Sequence, residues 1–169
     1  LPAIQTAGYL LPQLLVSGRL QDQPYKLPVY RLFGAIRVLT WAGLAAAIFA
    51  AGVLPPAVAL ALIVAAFTVF NFCGGVTTLA FQDIVARIIP PRRRGSFFGI
   101  RQFVAGLLAF AVGGTLVRWL LGERGPLPFP ANFGALMLLS LVCFAAGIAS
   151  FALVQEPPQL RLGQRLRLV

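Results

Sequence analysis

Long apolar runs alternate with short polar breaks along this chain, covering about residues 1–18, 29–53, 57–89, 97–121 and 133–154. About 20 apolar residues span the ~30 Å hydrocarbon core as a helix. In hydrocarbon a single segment satisfies its backbone N–H and C=O groups by being helical. The pattern therefore predicts an all-α, polytopic transmembrane helix bundle: five membrane helices in one unit, with residues 155–169 as a tail.

The breaks set the helix ends. Gly18 to Arg31, GRLQDQPYKLPVYR, carries Pro24 and Pro28 and closes the first helix. Gly52 to Pro56 is a tight uncharged turn, with Pro55 and Pro56 suited to the first turn of the next helix. In QDIVARIIPPRRRGSFFGIRQ, Gln82 to Gln102, the incoming helix stops near Ile89, before Pro90 and Pro91. Gly95 and Ser96 then restart a helix, Ser96 as its N-cap, so Arg92, Arg93 and Arg94 fall in a charged turn. GERGPLPFPAN makes an irregular loop, Asn132 caps the fifth helix, and Glu156, Pro157 and Pro158 end it. The tail, QLRLGQRLRLV, alternates leucine with arginine and is expected on the membrane surface.

Polar residues inside the runs are few and patterned. Gln5, Tyr9 and Gln13 recur at i, i+4 and i+8, one helical face. Such a face either packs against another helix or lines a pathway. In the third run Thr68, Asn71, Thr77, Thr78 and Gln82 lie among Gly74 and Gly75, and Asn71 and Thr78 are the cavity candidates. Arg37, one turn before Trp41, is expected to snorkel to the headgroups, with a buried ligand residue as the alternative. Asp83 precedes Arg87 by four residues, the favourable order on a helix, and is expected ionised and paired with Arg87, Arg101 or both.

Composition sharpens this picture. Of 169 residues 59% are hydrophobic and 11% charged, with mean hydropathy +0.88, too apolar for a soluble domain. A net charge of +10 in a soluble protein would suggest nucleic acid, but here the basic residues sit between the apolar runs, where anionic headgroups are the partner. Arg19, Lys26, Arg31, Arg37, Arg87, Arg92, Arg93, Arg94, Arg101, Arg161, Arg165 and Arg167 fall on one side, against Arg118 and Arg124 on the other. That asymmetry places the basic segments in the cytoplasm and the protein in the cell membrane. Cys73 and Cys143 lie within apolar runs and there is no histidine, so neither a metal site nor a cofactor is expected. Leu1 opens inside an apolar run, which suggests a fragment cut within a helix.

Two motifs carry a resemblance. In GRLQDQPYK, Gly18, Leu20, Asp22 and Lys26 occupy the first, third, fifth and ninth places of G-x-L-x-D-x-x-G-x-R/K, with Tyr25 at the second glycine. In the basic hinge, Asp83 and Arg87 end a helix ahead of Pro90, Arg94, Gly95, Gly99 and Arg101, the pattern P-x-x-x-R-G-x-x-x-G. On these motifs the chain resembles the amino-terminal half of a major facilitator superfamily transporter, from its second to its sixth helix. The resemblance implies two six-helix bundles around a midplane substrate site, of which this chain supplies five helices. It also implies a brace between Asp22 and the hinge, with Arg94 as partner. Ala109 and Phe110 stand where the superfamily's proton antiporters carry Gly-Pro, which weighs against drug/proton antiport.

The expected function is secondary transport of a small solute by alternating access, with Gln5, Tyr9, Gln13, Asn71 and Thr78 lining the pathway. Its partners are the lipid bilayer, the solute and the remaining helices of the full-length transporter, not nucleic acid. No catalytic pair recurs, and Asp22 and Asp83 sit at the membrane boundary, so an enzyme is not expected. A non-transporting membrane scaffold is the alternative.

Overall fold

A computed structural model of the chain describes residues 2–21, 23–50, 53–122 and 125–157. They form an all-α bundle: α1 (Pro2–Gln21), α2 (Leu27–Ala50), α3 (Pro56–Ile88), α4 (Pro91–Leu108), a π-helical segment (Ala109–Gly113), α5 (Gly114–Leu121) and α6 (Ala131–Ala152). Among the described residues, four spans are long and apolar enough to cross a membrane: α2, α3, the compound span Pro91–Leu121, and α6. The chain is a multi-pass membrane protein. The 20-residue α1, interrupted by Pro12 and carrying Gln5, Gln13 and Gln21, falls short of that composition and lies against α3.

The helices after the first begin earlier than the sequence expectation, while α2 and α6 end two to three residues sooner. The first break shortens because α1 runs on to Gln21 and α2 begins at Leu27, Pro28 being tolerated in a first turn whose amides have no helical partner. In the basic hinge Ser96 is not an N-cap. Pro90 holds that position and Pro91 opens α4, so Arg92, Arg93 and Arg94 are helical. A proline already has helical φ and lacks the N–H that the first turn cannot use, so the chain restarts at once. Pro130 likewise takes the N-cap of α6, while Asn132 Oδ1 accepts from the adjacent Phe133 N–H at 2.8 Å. The Pro55–Pro56 start of α3 is as expected.

α3 is the hub: it contacts α1 and α2, α2 also contacts α6, and α6 touches α5. Small residues set the approach distances. A Cβ on Gly75 would collide with the Tyr9 carbonyl oxygen, and one on Gly8 would stand 3.3 Å from Asn71 Cβ, so α1 and α3 meet nearly backbone to backbone. Between α2 and α6, Gly34 faces Ile148 and Gly134 faces the Phe49 ring. Leu27, Tyr30, Ala80 and Ile84 form the apolar centre near one end of the bundle. α4 buries no residue, and Gly106, Gly113 and Gly114 meet nothing within 4 Å. The fourth span touches the bundle through Phe98 and Arg101 against Phe81 near its start and through α5 against α6 near its end. The π-segment follows, and just beyond it the Thr115 hydroxyl bonds back to the carbonyls of Ala111 and Val112.

Candidate functional site

Two polar constellations emerge, one at the end of the bundle and one halfway along it. At the end, the α1–α2 connection, the last turn of α3 and the residues after α6 converge. Lys26 Nζ and Asp83 Oδ2 form an ion pair at 2.9 Å. Arg87 donates to Glu156 Oε1 at 2.7 Å and to the Pro24 carbonyl at 3.0 Å. Glu156, with a side chain only 1% exposed, also accepts the backbone N–H of Lys26 and that of Leu27, each at 2.7 Å to Oε2. A carboxylate from the far end of the chain thus caps α2, whose first amides lack helical partners and carry the positive end of the helix dipole. Arg31 adds two bonds to the carbonyl of Ala152, the last residue of α6.

These contacts revise the expected pairing of Asp83. Neither Arg87 nor Arg101 engages it; Lys26 does. Arg87 turns across the bundle because Glu156 is buried there and needs a cation, whereas Asp83 is 49% exposed and served by water as well. The Arg94 guanidinium donates to the carbonyls of Ala86 and Ile89, capping the last turn of α3. Asp22 itself lies outside the described residues, as does the tail from residue 158. Gly18, Gly95 and Gly99 face open space, and Pro90 sits between α3 and α4. Leu20 belongs to α1.

From that end to the middle of the bundle, a cavity of about 800 Å³ opens among α1, α2, α3, α4 and α6. Tyr9 and Thr78 line it and are joined by a 2.6 Å hydrogen bond from the phenol to the threonine hydroxyl. The other three pathway candidates are not on its wall. Asn71 is buried against α1 with its amide donating to the Phe67 carbonyl, Gln5 is exposed, and Gln13 is half-buried. The Gln5–Tyr9–Gln13 stripe splits because its register around α1 is set by the close Gly8 and Gly75 contacts, which turn only Tyr9 toward the cavity.

Arg37 is the main residue the sequence misplaces. At ~1.5 Å per residue it stands about 15 Å from Leu27, near the middle of α2 and too deep to snorkel. It therefore leaves the set of basic residues expected at one membrane face. The guanidinium lies over the adjoining Phe70 and Phe144 rings, 4.4 and 4.8 Å from their centroids, and donates to Thr77 Oγ1 at 3.0 Å. Gly74 makes room for it, the guanidinium carbon being 3.5 Å from where a Cβ would stand. Trp41 stacks on Phe70 at 4.7 Å and donates its indole N–H to Ser140, locking the rings that hold Arg37. Arg101, over the Phe81 ring at 5.0 Å, lines the same cavity from α4. Tyr30, Phe81, Phe98, Phe144 and Phe151 complete an aromatic wall.

The arrangement can hold a small solute at membrane depth on hydroxyls, two guanidinium groups and aromatic faces. No protein family, curated protein or solved structure matches the chain.

Proposed function

We propose that the chain is part of a secondary transporter that moves a small solute by alternating access, built as helices two to six of a major facilitator-like half. The observation that carries the reading is the aromatic and polar cavity at mid-membrane depth, lined by Tyr9, Arg37, Thr78 and Arg101. A bundle that only scaffolds other proteins has no need to keep two guanidinium groups on such a wall. The end constellation supports the same reading. Lys26 and Asp83, one from each resembling motif, form an ion pair, and Glu156 ties in the end of α6, so three separate segments are latched at one face. A latch made of paired charges on separate helices can open and close as a unit, which alternating access requires. In this reading the latch faces the cytoplasm of the cell membrane, and the remaining helices of the transporter supply the opposite wall of the site.

The test is reconstitution of the full reading frame in vesicles, with uptake of a broad panel of labelled small solutes. Uptake above that of protein-free vesicles supports the reading. Folded, correctly inserted protein that moves none of them returns the scaffold alternative. Orientation is checked separately with Arg93→Cys and Gly125→Cys, in a background lacking Cys73 and Cys143. The two should label from opposite faces, and labelling from one face sinks the topology.

A further inference from the structure

We infer that the solute recognised in this cavity is a small organic anion, its charged oxygens held by Arg37 and its apolar body lying on the aromatic wall. This rests on the transport reading above and narrows its substrate class.

Arg37 carries the argument. A charge at the centre of a bilayer span is costly unless paired, and arginine in such places normally meets a carboxylate. The chain has four acidic residues. Asp83 and Glu156 are engaged at the end of the bundle, and among the described residues no acid lines the cavity. Of the five N–H donors of the Arg37 guanidinium, one bond is made among the described residues, to Thr77, and the buried Nε has no partner. The adjoining rings of Phe70 and Phe144 offset part of the charge but leave the buried Nε–H without an acceptor. A planar cation so held presents a fork suited to a carboxylate or phosphate. Thr77 does not depend on it, since its hydroxyl already bonds the carbonyls of Cys73 and Gly74.

The rest of the wall agrees. Arg101 places a second guanidinium on the same cavity, doubling its preference for negative charge. Among the neutral polar groups on the wall, the Tyr30 phenol and the Thr78 hydroxyl, which accepts from Tyr9, can donate to an oxyanion. Phe81, Phe98 and Phe151 offer faces for a ring or short hydrocarbon. A volume of about 800 Å³ accommodates a metabolite-sized molecule.

The experiment measures binding rather than transport. Thermal unfolding of the purified full-length protein is followed against sodium benzoate, phenyl phosphate, lactate and citrate, at ionic strength matched with chloride, with benzyl alcohol as the neutral counterpart. At least one anion should raise the unfolding temperature saturably while benzyl alcohol does not, and benzoate against phenyl phosphate separates carboxylate from phosphate recognition. Arg37→Gln should weaken that anion at least tenfold and Arg101→Gln severalfold. If Arg37→Gln does not fold, Arg37→Lys serves, since it keeps the charge, loses the fork and should still bind tenfold more weakly. No saturable binding by any of these anions, equal stabilisation by benzyl alcohol, or unaltered affinity in the Arg37 variant overturns the inference. Uptake of neutral or cationic solutes without anion binding would leave transport standing and remove the anion. Arg37-dependent binding with no uptake would do the reverse.

Discussion

The end of the bundle and its middle handle the same kind of charge in opposite ways. At the end, Arg87 and Lys26 each face a carboxylate, and Glu156 gathers a guanidinium and the backbone amides of Lys26 and Leu27 at once. In the middle, Arg37 has two rings, one hydroxyl and an orphaned Nε. The first arrangement satisfies every partner and suits holding helices together. The second leaves donors over, which suits a site that something else must complete. Burial alone does not distinguish structural from ligand-binding charge; the tally of satisfied donors does.

If that contrast is right, the largest loss of stability comes from Glu156. Glu156→Ala removes the buried carboxylate that faces Arg87 and uncaps α2, for an expected cost of about 3–5 kcal/mol, read as a fall in unfolding temperature in detergent. A variant as stable as the parent would break the comparison at its strong end. Next comes the close contact that places the middle region: Gly75→Ala drives a methyl into the Tyr9 carbonyl and should cost roughly 1–3 kcal/mol while pushing α1 away from α3. Cross-linking yield between cysteines introduced on those two helices would report the separation, and an unchanged yield would contradict the packing.

Smaller effects sharpen the contrast. The Lys26–Asp83 pair joins a buried ammonium to a half-exposed carboxylate, and asparagine keeps an acceptor oxygen there, so Asp83→Asn should cost about 1–2 kcal/mol. The double exchange Lys26→Asp with Asp83→Lys should recover part of the loss of either single reversal, and no recovery would show that the pair is incidental. Smallest is Arg37→Met. An apolar side chain of similar length keeps the contacts with Phe70 and Phe144 and removes an unpaired charge, so the unfolding temperature should stay within the equivalent of about 1 kcal/mol or rise. A drop as large as that of Glu156→Ala would make Arg37 a structural residue like those at the end.

Run length and proline position were enough to read the bundle. The apolar stretches admit only helices in hydrocarbon, and Pro55–Pro56 and Pro90–Pro91 mark breaks wherever the helices pack. What the prolines do at each break is a finer matter: each opens the next helix, so the hinge arginines became helical and Ser96 lost its cap role. The lateral order of helices and the partner of every charge were decided only in three dimensions. Glu156 lies 130 residues from the amides it caps, a relation without local signature. Asp83 had Arg87 one turn away, yet paired across the bundle, because a buried carboxylate competed more strongly for that guanidinium. Arg37 reads as a rim residue by its distance from the basic break, and becomes a midplane residue once α2 starts at Leu27 and Gly74 opens a slot beside it. Local rules act through the backbone and the solvent, which the sequence specifies directly, whereas pairing of charges depends on which groups the packed helices leave without water.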